Sequence, residues 1–130
     1  MSADPWNVNI HYDARLDACV PPSATSVLDV GCGDGFLAAR LARRVPRVVA
    51  IDVDAPVLER ARARFPEAKV TWRNGDVMTY PFARASFDAV VSNATLHHFP
   101  NSKGVHEVLP GARVSRQILG RHLIAWQAPA

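Results

Sequence analysis

Short apolar runs alternate with stretches of helical spacing through the first hundred residues of the chain. Runs typical of buried strands occupy residues 27–30, 48–51, 69–72 and 87–92, the third being the weakest. Between them, apolar side chains recur with the period of a helix, at positions 36, 37, 41 and 45 and again at 57, 58, 61 and 65. This alternation predicts an α/β domain with a mostly parallel sheet flanked by helices.

Weaker patterns flank this core on both sides. Residues 1–26 form a lead-in with a predicted amphipathic helix between positions 6 and 19, whose apolar side chains are Ile10, Ala14, Leu16 and Ala18. Residues 111–128 contain two runs of alternating apolar and polar positions, joined near Gly120, which predict an antiparallel hairpin. Neither a repeat nor a long linker divides the chain, so residues 1–130 are predicted to form one domain with its core at 27–99.

Composition narrows the class of protein. Hydrophobic residues make up 48% and charged residues 21% of the 130 positions, which is typical of one soluble globular domain. Cys19 and Cys32 have neither disulfide-scaffold nor metal-site spacing, so we expect two reduced cysteines and no metal. The first residues show no basic region followed by an apolar run, so we expect no signal peptide and a cytoplasmic protein. The apolar stretches are broken every few residues by charged residues or proline, so we expect no membrane partner.

The net charge of +3 comes mostly from scattered arginines. Their densest group has helical spacing and is predicted to be a solvated helix face, so we expect no nucleic-acid partner. This group consists of Arg40, Arg43, Arg44 and Arg47.

A glycine-rich turn joins the first predicted strand to the first helix of the core. Gly31, Gly33 and Gly35 alternate with other residues there. Ligands of open α/β sheets bind outside the carboxyl ends of the strands, and glycines let a ligand approach the backbone beside free N–H groups of the helix. Tight turning alone would also explain the glycines, so the turn is a weak signal by itself.

Acidic residues near this turn indicate which ligand it would take. Asp29, Asp34, Asp52 and Asp76 all fall at the same predicted edge of the sheet. A dinucleotide is disfavoured because Phe36 replaces the small third residue of its fingerprint and because Asp34 would repel a pyrophosphate. S-adenosylmethionine is net cationic and has no phosphate, so electrostatics favours it over NAD(P).

The motifs together resemble those of class I S-adenosylmethionine-dependent methyltransferases. The run VLDVGCGDGFL at 27–37 is similar to the first motif of the family, and VAIDVD at 49–54 to the second. NGDV at 74–77 is similar to the adenine-binding turn, and FDAVVSNATLHHF at 87–99 to the fourth strand with its following loop. The resemblance covers residues 27–99 in the family's order and implies a Rossmann-like fold and methyl transfer to a small-molecule acceptor.

The resemblance also implies roles for individual residues. Asp29 would lie near the methionyl ammonium, and the three glycines would bring backbone to the methionine tail. Asp52 would bind the ribose hydroxyls, and Val53 would pack on the adenine. The remaining implied contacts are Asp76 with the adenine amino group, the Val77 N–H with the ring, and Asn93 and Ala94 near the sulfonium.

Three further side chains have two interpretations each. Tyr12 either closes over the methionine end, as N-terminal helices do in this family, or simply packs. His97 and His98 have the chemistry of a general base. They equally fit a structural loop after the fourth strand, and we favour that interpretation for at least one of them.

The sequence departs from the family after Pro100. Family members continue with a helix and a fifth parallel strand, but only sixteen residues separate Ala94 from Gly111, and a strand with its crossover helix takes ~30. We interpret this as an internal deletion that removes much of the acceptor half. The fourth strand would then pair with the closing hairpin or leave an exposed edge that allows self-association. Two functions stay open: an active methyltransferase, or a non-catalytic domain that binds S-adenosylmethionine.

Overall fold

A computed structural model describes residues 8–77, 79, 87–95, 113–116 and 121–127. Its elements follow the predicted order of strand and helix. They are α1 (Val8–Cys19), β1 (Ser26–Val30), α2 (Phe36–Leu41), β2 (Arg47–Asp52), α3 (Ala55–Arg64), β3 (Val70–Asn74), β4 (Ala89–Thr95), β5 (Arg113–Arg116) and β6 (Arg121–Gln127). No helix in these ranges is long and apolar enough to cross a bilayer.

The strands form one sheet in the order β3-β2-β1-β4-β6-β5. The first four of these neighbours are parallel, and β1 pairs with β2 on one side and with β4 on the other. The predicted α/β class is therefore confirmed. Strands β3 and β4 begin and end later than predicted. They end later because backbone pairing continues past the apolar runs: Asn74 pairs with Asp52, and Thr95 pairs with Arg121.

Strand β4 pairs directly with the closing hairpin. Ala89 to Thr95 lie antiparallel to Gln127 to Arg121, and β5 then pairs antiparallel with β6. No fifth parallel strand occurs among the residues that the structure covers, and the internal deletion stays a prediction. Because β6 covers the outer edge of β4, the two edges of this sheet are β3 and β5. Self-association through a sheet edge stays a prediction.

The core lies between the sheet and the helices packed on it. Its buried side chains come from α1, from the inner faces of α2 and α3, and from β1, β2 and β4. Its larger members are Leu16, Val20, Val27, Leu37, Leu41, Val45, Val48, Leu58 and Val91. Each of these helices is thereby fixed against the sheet, which sets where the loops at the carboxyl ends of the strands begin.

Helix α1 turns a different side to the core than its sequence indicates. Asp13, Leu16 and Val20 are buried, whereas Ala14 and Ala18 are exposed. The spacing of 13, 16 and 20 follows the helical period, and the larger Leu and Val side chains gain more from burial than alanine does. The predicted apolar face was therefore wrong at Ala14 and Ala18. The buried side of α1 also includes the Asp13 carboxylate, which that prediction did not contain.

Two arginines of the predicted solvated helix face hold α1 in place. Arg40 Nε and Arg44 Nε each donate to the Asp17 carboxylate at 3.0 Å. Arg44 Nη2 also donates to the backbone oxygens of Asp17 at 2.6 Å and Val20 at 3.1 Å. These carbonyls lie at the end of α1, where a helix leaves its acceptors without partners. The two arginines are exposed, yet they join α1 to α2 and to the residues directly after it.

The amino ends of β1 and β4 are joined through Asp88. The Thr25 N–H and hydroxyl both donate to Asp88 Oδ2, at 2.8 and 2.9 Å. These bonds hold the pKa of Asp88 below its usual value, because they favour the charged form. The contact closes the end of the sheet that faces away from the glycine turn.

Candidate functional site

The glycine turn is fixed between the ends of β1 and β2. Gly31, Gly33 and Gly35 have φ angles of 68°, 50° and 84°, a left-handed conformation that side chains with a Cβ rarely adopt. The Gly31 and Cys32 N–H groups both donate to the Ile51 carbonyl, at 2.8 and 3.2 Å. The backbone thus leaves β1, touches the end of β2 and enters α2 within five residues.

The last two glycines of the turn serve different purposes. A Cβ on Gly35 would lie 2.8 Å from the Trp72 ring and 2.9 Å from the Ala61 methyl, so this glycine permits close packing of α2 against α3 and β3. A Cβ on Gly33 would meet no atom within 4 Å. The space over Gly33 is therefore open to a ligand, and its glycine is required by backbone conformation alone.

Asp52 ties the glycine turn to the loop after β2. Its Oδ2 accepts from the Gly33 N–H and its Oδ1 from the Asp54 N–H, both at 2.9 Å. Asp54 in turn caps α3, where its Oδ1 accepts from the Val57 N–H at 3.1 Å. Asp52 is 8% exposed, so its carboxylate lies at the boundary between the sheet and the loops.

The loop after β3 is held against the same place. The Gly75 N–H and the Asn74 side chain both donate to the Asp52 carbonyl at 3.0 Å, and Asn74 Nδ2 also lies 3.2 Å from the Val53 carbonyl. Asn74, which the sequence pattern indicates only as part of the NGDV motif, is the residue that joins the two loops. It is the last residue of β3 and comes just before Gly75, a position where an amide side chain commonly bonds backbone.

Three residues predicted to contact the adenine lie in these loops: Val53, Asp76 and Val77. Val53, directly after β2, is 49% exposed, so its apolar side chain is accessible to a ligand. Asp76 is exposed, and its carbonyl accepts from the Thr79 N–H at 3.1 Å. Val77 is half-buried. The Gly75–Asp52 bond therefore brings Asp52, Val53 and the start of the Asp76 turn together at one end of the parallel strands.

Asp29 lies inside β1 and is 1% exposed. Its Oδ2 accepts no hydrogen bond within the described part of the chain. Burial, and then the nearby Asp13 and Asp52 carboxylates, raise the pKa of Asp29 well above the usual value of 3.8. A buried carboxylate oxygen without a donor is costly, so the fold alone gives no reason for this aspartate.

Asp13 is the site residue that the sequence analysis missed. It lies on α1, is 5% exposed, and its Oδ1 accepts from the Asn93 amide at 3.0 Å. Asn93 is on β4, so this bond joins the lead-in helix to the sheet. The signal in the sequence was an acidic residue at helical spacing from Leu16 and Val20, on a face that is otherwise apolar.

A narrow cavity of about 40 Å³ opens between these residues. Asp13, Asp29, Asn93 and the turn from Gly31 to Gly35 line it, together with Phe36 and Leu37. A larger groove of about 440 Å³ adjoins it and shares Asp13 and Phe36 with it. The groove continues over Ala39, Arg40, Arg43, Phe65, Glu67 and Ala68. A charged, backbone-lined cavity therefore opens next to a more apolar groove.

Cys32 lies in the glycine turn and lines the same narrow cavity. Burial and the nearby carboxylates raise the pKa of the Cys32 thiol, which keeps it protonated and unsuited to act as a nucleophile. The backbones of Tyr12 and Ala94 belong to α1 and β4, but their side chains lie outside the described residues, as do His97 and His98 entirely. Where the structure is described, no group of three potential ligands could hold a metal ion.

Comparison with known proteins connects this geometry to a family. A profile of the methyltransferase domain matches residues 27–112. An uncharacterized methyltransferase of Mycobacterium bovis is 62% identical over 99 residues, which cover 76% of this chain and 50% of that protein. The chain therefore spans about half the length of the curated relatives it matches.

Two solved structures share the fold. The N-methyltransferase NodS of Bradyrhizobium japonicum superposes with a TM-score of 0.70 at 14% identity, covering 98% of this chain and 100% of that one. A SAM-dependent methyltransferase of Thiobacillus denitrificans, solved with S-adenosyl-L-homocysteine, has a TM-score of 0.61 at 21% identity, covering 75% and 42%. At these identities the likeness concerns the fold alone.

The burial of Asp29 predicts a gain in stability when its charge is removed. Because the folded-state pKa is raised, the free energy of unfolding should fall as the pH rises from about 4 through that pKa. Asp29→Asn should remove this loss, so the variant should melt at a higher temperature than wild type at pH 8 and show a flatter pH dependence. Thermal denaturation followed by circular dichroism from pH 5 to 8 measures this. A variant less stable than wild type at pH 8 would contradict it.

The two glycines predict unequal costs for the same substitution. Gly33→Ala should destabilise by about 1–2 kcal/mol, since only the left-handed conformation is strained. Gly35→Ala should cost about 2–4 kcal/mol, because the new methyl also overlaps Trp72 and Ala61. Urea denaturation of both variants gives the comparison, and equal losses would show that the packing around Gly35 relaxes freely.

Proposed function

The chain belongs to the class I S-adenosylmethionine-dependent methyltransferase family, and from this premise we propose that it transfers a methyl group from S-adenosylmethionine to a small-molecule acceptor. The observation that carries the proposal is the turn at Gly33, which is open above its backbone. Gly33 lines the same cavity as Asp29, whose Oδ2 accepts no hydrogen bond from the described residues. A backbone cradle next to an unused buried carboxylate fits a ligand with a cationic, amino-acid-like tail. The residues present therefore fit the cofactor that the family uses.

The nucleoside half would be held by the loops after β2 and β3. Each Asp52 oxygen accepts one backbone N–H, and a carboxylate oxygen has room for a further donor. Asp52 could thus accept from ribose hydroxyls without releasing the glycine turn. The exposed Val53 offers an apolar surface to the adenine, with Asp76 to accept from its amino group and the Val77 N–H facing the ring.

The methionine half would lie along the glycine turn. Gly31, Gly33 and Gly35 bring the backbone close to it, and Asp29 receives the ammonium group. Asn93 and Ala94, at the end of β4, would lie near the sulfonium.

S-adenosylmethionine supplies an already activated methyl group, which leaves little covalent chemistry to the protein. Asp29, Asp52 and the glycine turn would hold the cofactor, and after transfer it would leave as S-adenosylhomocysteine. An acceptor that is a protonated nucleophile must also lose a proton. This chain would contribute by positioning the two reactants and excluding water. His97 and His98 stay the predicted candidates for a base.

The groove beside the cavity supports a small acceptor. Its volume of about 440 Å³ falls in the range of small-molecule sites. Phe36, Phe65 and Ala68 give it apolar walls. Arg40, Arg43, Glu67 and Asp13 add charges of both signs. We further propose that the protein acts in the cytoplasm with both cysteines reduced.

A second candidate function is binding of S-adenosylmethionine without transfer. The direct antiparallel pairing of β4 with β6 favours this second function. The resemblance to the family implies a fifth parallel strand at this place, together with much of the acceptor side. The glycine turn and the loops after β2 and β3 do not depend on that strand. Cofactor binding could therefore survive where transfer has been lost.

Calorimetric titration tests the shared part of both functions. Wild type should bind S-adenosylmethionine and S-adenosylhomocysteine but not NADH. Asp52→Ala should weaken binding by roughly a hundredfold or more, because it removes the acceptor of two hydroxyl bonds. Glu59→Ala, an exposed change on α3, is the matched control and should bind like wild type. Unchanged affinity in the folded Asp52→Ala variant would show that the ribose is held elsewhere.

Transfer of a labelled methyl group separates the two candidates. Wild type is incubated with methyl-labelled S-adenosylmethionine and a panel of small molecules bearing oxygen, nitrogen, carbon and sulfur nucleophiles. Label in an acceptor, with release of S-adenosylhomocysteine, supports the methyltransferase. Tight cofactor binding with no labelled product across the panel supports the non-catalytic domain.

A further inference from the structure

A side chain at the end of the outermost parallel strand bonds the backbone of the neighbouring loop. Asn74 is the last residue of β3 and pairs with Asp52, the last residue of β2. Its Nδ2 donates to the Asp52 carbonyl at 3.0 Å and to the Val53 carbonyl at 3.2 Å. A side-chain amide has two N–H donors, so both are used on this one stretch of backbone. The two bonds extend the connection between the strands past the point where their ladder ends.

The peptide group after Val53 is held at both of its polar atoms. Its oxygen, the Val53 carbonyl, accepts from Asn74. Its N–H, which belongs to Asp54, donates to Asp52 Oδ1 at 2.9 Å. Because both atoms are bonded, the peptide plane cannot rotate without losing a hydrogen bond, and this plane sets the direction of the half-exposed Val53 side chain. Asn74 thus helps to present an apolar surface at the carboxyl ends of the strands.

The backbone after β3 is bent toward the same loop. The Gly75 N–H donates to the Asp52 carbonyl at 3.0 Å, so this oxygen accepts from two consecutive residues. Directly afterwards, the Asp76 carbonyl accepts from the Thr79 N–H at 3.1 Å, which closes a turn. The direction in which Asp76 leaves the sheet is therefore set by the bonds of Asn74 and Gly75.

We infer that Asn74 is a positioning residue for recognition of the adenine base. It would hold Val53 against the face of the ring and the turn at Asp76 and Val77 against its edge, without contacting the base itself. The inference rests on the proposed function, because it takes the adenine of S-adenosylmethionine as the base. It assigns base specificity to an exposed side chain that acts through backbone bonds, so its removal should cost the fold little.

Two ligands that differ only at the edge of the base test this role. S-inosylhomocysteine has an oxo group and a ring N–H where S-adenosylhomocysteine has an amino group and an unprotonated ring nitrogen, and the rest of the two molecules is the same. Wild type should bind the adenosyl ligand roughly ten- to a hundredfold more tightly, because the inosyl base leaves the acceptor for the amino group unpaired. Calorimetric titration gives both dissociation constants.

Asn74→Ala should lower this preference. Contact of the ring face with Val53 is common to both bases, so loosening it should weaken both ligands by about threefold. The edge contacts favour only the adenosyl ligand, whose affinity should fall by roughly ten- to thirtyfold in total. The ratio of the two dissociation constants should therefore shrink about threefold or more. A role for Asn74 in general stability would weaken both ligands by the same factor and leave the ratio unchanged.

Thr71→Ala is the matched control, because it also removes an exposed polar side chain from β3. It should retain both affinities of wild type. Asn74→Leu keeps the branched shape of the side chain but has no donors, and it should show the same lowered preference as Asn74→Ala. Circular dichroism establishes that each variant is folded, and Asn74→Leu supplies the measurement if Asn74→Ala is not.

The outcomes distinguish this inference from the function on which it rests. Wild type that binds neither S-adenosylmethionine nor S-adenosylhomocysteine overturns both. Wild type that binds the adenosyl and inosyl ligands equally, or folded Asn74 variants that keep the wild-type preference, overturn the positioning role alone. A preference that falls in the Asn74 variants and is retained in Thr71→Ala supports it.

Discussion

The bond from the Gly33 N–H to the Asp52 carboxylate is the constraint on which the site depends. It joins the turn after β1 to the end of β2, and the other Asp52 oxygen holds the backbone that begins α3. The Asp52 carbonyl receives the loop after β3. One residue therefore sets the relative positions of three loops that come from separate parts of the chain. The parallel sheet brings their ends together, but it does not by itself fix their backbones at hydrogen-bond distance.

The buried carboxylates show a conflict between stability and binding. Asp29 lies in the middle of an apolar strand, where valine would pack at no electrostatic cost, and Asp13 occupies a core-facing position of α1. Proteins tolerate such groups where a ligand site needs them. In this chain Asp29 Oδ2, beside the open glycine turn, accepts no hydrogen bond from the described residues, whereas Asp17 and Asp88, away from it, have close donors.

The sequence could predict those features that follow from local pattern. The buried strands, the turn at 31–35 and the placement of Asp52 all follow from apolar runs that end in glycine or aspartate, and the family resemblance added the roles. The sequence pattern could not predict contacts between distant segments of the chain. The Asp13–Asn93 bond spans eighty positions, and the buried side of α1 depends on how the helix rotates against the sheet, which its small alanines do not determine. The ends of β3 and β4 likewise depend on their partner strands.

The antiparallel pairing of β4 with β6 affects the order in which the chain can fold during synthesis. Strands β1 to β3 and both core helices leave the ribosome before β4, and β4 can add to β1 as soon as it emerges. Its other edge then waits for residues 121–127, about thirty positions later in the chain. During that interval a valine-rich strand presents unpaired backbone groups to the cell. Until the hairpin closes, this unpaired edge of β4 is therefore the place where a nascent chain is open to wrong pairing with another strand.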